Sequence, residues 1–502
     1  MNNPAESNTS KALKGMSSQT LVTFLAAFVE IASFSIMSRL LTKEDFGYYA
    51  AVTAIVAIFK SLSETGIGSA IIQRKNPDSR YINNAFTVSL CFGIFLMALL
   101  CILAHPIAVM VVDETMTVPL IIMSVTLLCQ CLKSVNQSLI IRRLEFLKAG
   151  TINLVAETVT VIVAIILAAN GFGYYASITK VVLSSVLSLI ISYFFINTKL
   201  ALQFDIKTFK TIFNFSGWLM FSAVIRNLSQ QADKLLMSRL LSVKDLGAYN
   251  RPKDFVFNIS SHACGIFDTA LFPILSDLQD DKRGLINGYR KSLYLLNLLG
   301  ILISLSFVVN SELIIRIFFG EQWMSLNMLT KILSLYVMLN ANGRLTDCYI
   351  RSLGLTKQQF FFRCLQLALT FLGLFISYRR GTVGVGVSVI VVNLIMVIIK
   401  MIFISSKIDF TFQKAIEVVL DSWRFLLYAL PIGIALIIFA PNTWIGNVVT
   451  AAIWGLTLAV IFLFFPKLQG SLYQKEVYAR VISIIQEVLK RLHIVKQGNE
   501  SV

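Results

Sequence analysis

The sequence predicts an all-α integral membrane protein. It has about fourteen transmembrane helices, with two parallel six-helix lobes around a central cavity and two extra helices. Three observations carry this prediction. The chain is 56% hydrophobic and only 14% charged, with mean hydropathy +0.75. Soluble domains carry about 25% charged residues, so only the membrane class fits. Apolar runs of spanning length, about 20 residues, recur along the whole chain. One short stretch also occurs twice, 200 residues apart. Residues 37–49 read MSRLLTKEDFGYY and residues 237–249 read MSRLLSVKDLGAY, with eight of thirteen positions identical. Apolar runs flank both copies. A repeat of this kind in a hydrophobic chain marks a membrane protein of two related halves.

In order, the spans fall at 17–41, 46–73, 82–112, 117–141, 147–169, 174–197, 212–241, 246–275, 290–319, 325–352, 359–378, 382–405, 416–440 and 445–465. Chain breakers sit between them: Asn76-Pro77, Asn170-Gly171, Gly320, Arg380-Gly381 and Pro441-Asn442. Residues 1–16 are a polar N-terminal tail with no cleavable signal, since the apolar run that follows is too long for an h-region. The net charge of +17 follows the positive-inside rule better than it suggests nucleic acid. With the N-terminus inside, the inner loops hold Arg74, Lys75 and Arg80, then Arg142, Arg143 and Lys148, and later Lys282, Arg283, Arg290 and Lys291. The outer loops are poor in positive charge, apart from Arg379-Arg380 and the two repeated corners. Both termini are therefore expected in the cytoplasm.

Six spans separate the two copies. Six is even, so the halves face the same way and are related by an axis along the membrane normal. The N-lobe is 17–197 and the C-lobe 212–405. The linker 198–211 is expected as a short amphipathic helix on the inner leaflet, and spans 416–465 lie outside the repeat. Within the tail 466–502, Val477, Val481, Ile484, Ile485, Val488 and Leu492 fall on one helical face. That pattern predicts a surface helix on an anionic leaflet.

A charge at mid-bilayer costs roughly 2.5–3.5 kcal/mol on insertion scales, so each one needs a reason. The spans carry Glu30; Lys60 and Glu64; Glu157; Lys180; Arg226, Asp233 and Lys234; Arg251, Lys253, Asp254 and Asp268; and Arg344 and Asp347. They are densest in spans 1, 2, 7 and 8. Those spans are expected to line a polar cavity, while spans 3, 9, 13 and 14 meet lipid. The bland alternative is that the charges pair with one another and only hold helices together. The cationic excess favours an anionic substrate head, and the planar fork of arginine suits phosphate.

No G-x-x-x-x-G-K-[ST], G-x-S-x-G or H-E-x-x-H motif occurs. The histidines are His105, His262 and His493; His262 reads as a satisfied core residue rather than a proton relay. The seven cysteines lie in or beside apolar runs and read as small buried residues. No extramembrane loop is large enough for a catalytic domain. Enzyme chemistry, a metal site and a cofactor are not expected.

The stretches SRLLTKEDFGYYAAV (38–52), ETGIGSAIIQRK (64–75), LGAYNRPKDF (246–255), LFPILSDLQDD (271–281), FFGEQWMSLNMLTKILSL (318–335) and YIRSLGLTKQQF (349–360) form an ordered set. As a set they resemble the Wzx-type polysaccharide transporter flippases of the multidrug/oligosaccharidyl-lipid/polysaccharide exporter superfamily. The resemblance covers about 17–405. It implies a flippase for an undecaprenyl-diphosphate-linked oligosaccharide repeat unit. That unit would pass from the inner to the outer leaflet of a bacterial plasma membrane by alternating access, for O-antigen, lipopolysaccharide or exopolysaccharide synthesis. Spans 13 and 14 exceed the twelve common in the family and resemble the extra pair of the related lipid II flippase, which forms a groove for the lipid tail.

Joined to the charge pattern, the resemblance makes Arg226, Lys234, Arg251 and Lys60 the leading candidates for the diphosphate. Arg39, Arg239 and Arg344 come second, and Arg39 and Arg239 have gating or bracing as their other role. Glu30, Glu64, Asp233 and Asp268 are the candidates for ion coupling. The expected partners are the lipid-linked oligosaccharide, membrane lipids and polysaccharide polymerase machinery. Nucleic acid is not expected, and a self-contained cavity needs no second copy. The alternative is an ion-coupled multidrug antiporter of the same superfamily, which needs an acidic, aromatic cavity.

Overall fold

The computed structural model describes residues 22, 25–63, 68, 71, 78–143, 145–196, 201–277, 281–439 and 443–468, with backbone alone at 146, 207–222, 262–274, 276–277, 356 and 462–468. Among them no strand occurs. The helices are α1 (25–40), α2 (Lys43–Ser63), α3 (Ser79–Val111), α4 (Thr117–Arg142), α5 (Phe146–Ala169), α6 (Tyr174–Phe195), α7 (Ile206–Leu240) and α8 (Val243–Asp277). Then follow α9 (Lys282–Val309), α10 (Asn327–Ser334), α11 (Tyr336–Ser352), α12 (Thr356–Ser377), α13 (Gly381–Lys407), α14 (Phe412–Phe439) and α15 (Trp444–Leu468). Where its residues are described, every expected span is largely helical, the tenth as α10 and α11 together.

Among the described residues, 9 stretches are long and apolar enough to cross a membrane. One of them, Lys357–Lys407, has 51 residues. A straight helix of that length would reach more than twice the ~30 Å hydrocarbon thickness. It is two spans, turned at Tyr378–Arg380 and at Gly381, whose φ of +68° suits glycine. α7 and α8 fall outside the apolar set because of the charges they carry.

The chain forms two compact units. The first holds Met1–Lys253, Ile315–Leu329 and Phe360–Val389. In it α3 packs on α4, α5 on α6, and α2 on both α4 and α7. The face α2 buries is made of small and β-branched residues: Ala50, Ala51, Val52, Ala54, Ile55 and Val56. Small residues let helix backbones approach closely where lipid offers no hydrophobic drive. Asn136 Nδ2 donates to Ser192 Oγ at 2.8 Å, tying α4 to α6.

The second unit holds Asp254–Ile314, Thr330–Gln359 and Ile390–Val502. Its centre is α9, which packs on α11 and α14. Tyr294, Leu298, Ile301, Leu305 and Val309 of α9 meet Phe425, Ala429 and Trp454. Asn297 and Asn342 exchange amide hydrogen bonds at 2.7 and 2.8 Å. Ser304 explains why the tenth span is broken. Its hydroxyl donates to Ser334 O at 2.9 Å and accepts from Met338 N at 3.2 Å, so it stands inside the bond these two would otherwise make.

Three expectations change. Span 9 was expected against lipid, yet α9 is the core of the second unit. Absence of charge marks an apolar environment and cannot tell lipid from protein. The linker is not a helix over 201–205. It runs extended along α3, with Ala201 N on Asn83 Oδ1 at 3.1 Å, Gln203 N on Thr87 Oγ1 at 2.9 Å and Asn84 Nδ2 on Asp205 O at 3.0 Å. These side chains satisfy the backbone that a helix would have satisfied internally. Cys91 is exposed rather than buried, although Cys129, Cys131 and Cys348 are buried. The expected tail helix at 473–493 and the side chain of His262 lie outside the described residues.

Candidate functional site

The two repeated corners lie in the first unit, and they touch. Each begins with the same cap. Thr42 Oγ1 donates to Asp45 Oδ2 at 2.7 Å and accepts from Asp45 N at 3.1 Å. Ser242 Oγ does the same with Asp245 at 2.6 and 3.1 Å. Hydroxyl and carboxylate three residues apart satisfy the orphan donors of a helix start, which is why both copies turn at the same point. Just beyond lie Gly47 and Gly247. A Cβ on Gly47 would overlap the Val243 carbonyl, and a Cβ on Gly247 would overlap the Lys43 carbonyl. Each glycine lets one copy press on the other's backbone.

Around the first corner the cations are engaged. Arg251 of α8 is buried. Its Nε and Nη2 donate to Ser38 Oγ at 2.9 and 2.7 Å, and Nη2 also donates to Phe34 O at 2.6 Å. The guanidinium lies 3.4 Å from the Phe34 ring centroid and 4.1 Å from that of Phe46. Arg39 donates to Ile317 O at 2.9 Å and to Arg316 O at 3.3 Å. Those carbonyls belong to the π-helical turn Ile315–Phe319, whose wider turn leaves them available. Gln322 Nε2 and Trp323 Nε1 both donate to Ser38 O, at 2.7 and 2.9 Å. The segment 315–329 is thereby fastened to the corner.

A second cluster lies along α7 and α8. Lys253 bonds Asp233 Oδ2, and Tyr249 OH donates to the same oxygen at 2.7 Å. Asp233, Lys253 and the neighbouring Lys234 are buried. In α5 and α6, Lys180 pairs with Glu157 at 2.7 Å and donates to Ser33 Oγ at 3.3 Å.

The structure thus sorts the candidates. Arg251, Arg39, Lys234 and Asp233 gather near the repeated corners and the α7–α8 cluster. Arg226, Lys60 and Arg239 are exposed, and no described residue is recorded bonding to them. Arg344 belongs to the second unit, where Nη2 donates to Ser261 Oγ at 2.8 Å. Glu30 is half-buried in α1. Glu64 and the side chain of Asp268 lie outside the described residues. Sequence reasoning misses the pairing of Asp347 with Lys400 at 2.7 Å, because Lys400 lies inside the apolar span 382–405. It also missed Gln322 and Trp323, whose signal was present in the stretch FFGEQWMSL but without an assigned role. Among the described residues no group of His, Cys, Asp and Glu is placed to hold a metal.

A helical membrane chain whose repeated corners meet and carry buried cations shares its fold with solved membrane transporters. The structure of lipid II flippase MurJ in an inward closed conformation aligns with TM-score 0.67 at 14% identity, over 90% of this chain and 99% of that one. An inward-facing MATE family multidrug resistance transporter aligns with TM-score 0.64 at 14% identity, over 76% and 94%.

Within that class the chain belongs to the polysaccharide biosynthesis protein family, whose model matches residues 36–327. It is similar to the succinoglycan biosynthesis transport protein ExoT of Rhizobium meliloti (strain 1021), 23% identical over 60% of this chain and 60% of that one. It is also similar to the lipopolysaccharide biosynthesis protein WzxC of Escherichia coli (strain K12), 22% identical over 66% and 68%. The chain therefore spans 60% of the succinoglycan relative's length.

Proposed function

We propose that the protein is a flippase. It carries an undecaprenyl-diphosphate-linked oligosaccharide from the inner to the outer leaflet of a bacterial plasma membrane by alternating access, with both termini in the cytoplasm. One observation supports this reading most. In a member of the polysaccharide biosynthesis family, spans α2 and α7 present Lys60 and Arg226 exposed, with no described acid recorded against them. Carrying a cation into a membrane span is costly unless it serves an anion.

In this proposal Lys60, Arg226 and Lys234 receive the diphosphate, with Arg239 nearby on α7. Arg251 ties α8 to the first corner and Arg39 ties the turn Ile315–Phe319 to it, and opening releases both to compete for the same phosphate oxygens. Arg344, bonded to Ser261, is a further basic candidate. Coupling to an ion gradient falls to Glu30, Glu64, Asp233 or Asp268. Of these, Asp233 already neutralises Lys253, so it exchanges partners only if the corner opens. The polymerase that consumes the product is the proposed partner, and the protein works as a monomer.

The test uses a strain lacking the gene, complemented with K60A/R226A. Both side chains are exposed, so the variant should insert and fold. The expected outcome is loss of surface polysaccharide with lipid-linked glycan accumulating in the inner leaflet. Normal export by the double variant would end the proposal. Normal glycan in the deletion strain with altered drug tolerance would establish the multidrug antiporter instead.

A further inference from the structure

One charge stands inside the span 117–141, and the transport reading leaves it without a role. It is Lys133 of α4, roughly 14 Å along the helix from Arg142. A cation at that depth costs free energy unless a partner meets it. The partner it has is neutral. Lys133 Nζ donates to Asn153 Oδ1 of α5 at 2.7 Å. Asn153 Nδ2 donates to Ala149 O at 3.3 Å, which leaves the amide oxygen for the ammonium. The next acid along α5, Glu157, is taken by Lys180 at 2.7 Å.

The charge beside Lys133 makes the need larger. α2 packs on α4, and Cys131 Sγ donates to Ser63 O at 4.0 Å, so the end of α2 lies along the middle of α4. That packing brings Lys60 of α2 near enough for the two ammoniums to repel. No described carboxylate is recorded bonding to either lysine. Lys60 and Asn153 are exposed and Lys133 is half-buried, so a ligand can reach both ammoniums. An ammonium has three donors, and Lys133 spends one of them on Asn153. Two like charges with donors to spare call for an anion.

We propose that Lys60 and Lys133 close as a two-ammonium clasp on one oxyanion group of the lipid-linked glycan. An oxyanion offers lone pairs to both ammoniums at once, and its charge replaces their repulsion by two attractions. Each ammonium is a point charge on a flexible stem, so the clasp selects for charge rather than for planar geometry. A phosphoryl group of the diphosphate and a carboxylate on the glycan both meet that requirement. Asn153 positions Lys133 without neutralising it.

The inference takes its ligand from the flippase reading, and its test needs no transport. The experiment is thermal unfolding of the full chain in detergent, with inorganic pyrophosphate, glucuronate or chloride at matched ionic strength. The wild-type protein should be stabilised by pyrophosphate or glucuronate beyond chloride. A pyrophosphate response assigns the clasp to the diphosphate, and a response to glucuronate alone assigns it to a sugar carboxylate. K133M and, separately, K133Q should weaken the apparent affinity for that anion about tenfold, which corresponds to ~1.4 kcal/mol. Without anion both variants should melt at or above the wild type, because an uncompensated charge has been removed. No wild-type response beyond chloride overturns the proposal, as does a response that survives in both variants. So does a lower melting temperature of both variants without anion, since Lys133 then has its partner in the folded chain already. Loss of glycan export in K60A/R226A alongside any of these three results leaves the flippase reading standing and ends only the clasp.

Discussion

The two repeated corners share eight residues, yet they do different things. Both copies make the same hydroxyl–carboxylate cap and the same glycine contact. The first copy then gathers the neighbourhood. Asp45 Oδ1 accepts from Tyr174 N at 2.9 Å and so holds the start of α6. Ser38 receives Arg251, Gln322 and Trp323. The second copy receives none of these: Ser238 Oγ donates within its own helix to Leu235 O at 2.7 Å. Its half supplies the charges instead. At an offset of 200, Arg251 stands where the first half has Ala51, Lys253 where it has Thr53, and Asp233 where it has Ser33. The motif encodes the turn and the contact. Function-bearing asymmetry is written in the helices on either side.

The largest effect should come from breaking the part the copies share. Replacing Gly47 or Gly247 by valine places a branched side chain where only a backbone fits. The corners must then separate, since neither carbonyl belongs to a flexible side chain. On the proposed function, polysaccharide export should fall to background in G47V and in G247V alike. A cysteine pair beside the contact, at positions 44 and 244, where Lys244 Nζ stands 3.9 Å from Glu44 Oε1, should be bridged readily by a short bifunctional thiol reagent in the wild-type background and poorly in G247V. Equal cross-linking in both would mean that the glycines are not what closes the contact.

Next come the charges that only the second half carries. Asp233 and Lys253 are both 5% exposed at the side chain. Removing one partner of a buried pair leaves an uncompensated charge and costs ~3–5 kcal/mol. D233N should therefore lower the melting temperature sharply in detergent, and K253M should do the same. The double variant D233N/K253M should recover much of the loss. S33A, at the equivalent place in the first half, should cost far less, because Lys180 keeps Glu157. A double variant no better than its parents would show that the pair does not act as a unit.

How much of this was legible in the sequence follows the same division. The helical spans and the break at Gly381 came from hydrophobic runs and the paired corners from a repeat, both local patterns. The clustering of charge on spans 1, 2, 7 and 8 was also visible. The partners were not. Arg251 meets Ser38 across 213 residues, and Trp323 meets it across 285. No spacing rule reports such a contact. A lone arginine in an apolar helix reads the same whether it awaits a phosphate or braces a backbone carbonyl. The misplacement of α9 has the same origin, since a leucine-rich helix carries no label for what covers it.

Arg251 and Arg39 sharpen the comparison at an intermediate scale. Arg251 uses two nitrogens on the first corner and stacks between two rings, which lysine cannot reproduce. R251K should cost ~2 kcal/mol, in the range of charge-assisted hydrogen bonds. R39Q should cost ~1 kcal/mol or less, because Arg39 is exposed and bonds only neutral carbonyls. R239Q should cost nothing measurable in stability, since no described residue is recorded bonding to it. Thermal unfolding of the three variants in one detergent tests the order. A larger loss for R239Q than for R39Q would mean that the two corners are equally braced.

The smallest effect is expected in the second unit, at the end of α13. Asp409 has φ +56°. Phe410 N bonds Ser405 O at 2.9 Å, the closure that ends a helix with a left-handed residue. Gly171 and Gly354, also at positive φ, follow α5 and α11. Asp409 tolerates the conformation and takes Lys282 as partner at 2.7 Å. That ammonium holds the Asp409 carboxyl below the usual carboxylate range. A lowered folded-state pKa gives stability that is present above the unfolded value, about 3.9 for aspartate, and is lost as pH falls through the lowered one. The pair is fully open to solvent, so its contribution is small. D409G loses the pair and gains an easier backbone, and its melting temperature at pH 7 should match the wild type. D409A loses the pair and keeps the strain, so it should melt lower than D409G. The gap between D409A and wild type should narrow in acid. D409A melting as high as D409G would mean that the left-handed turn carries no strain for an ordinary side chain.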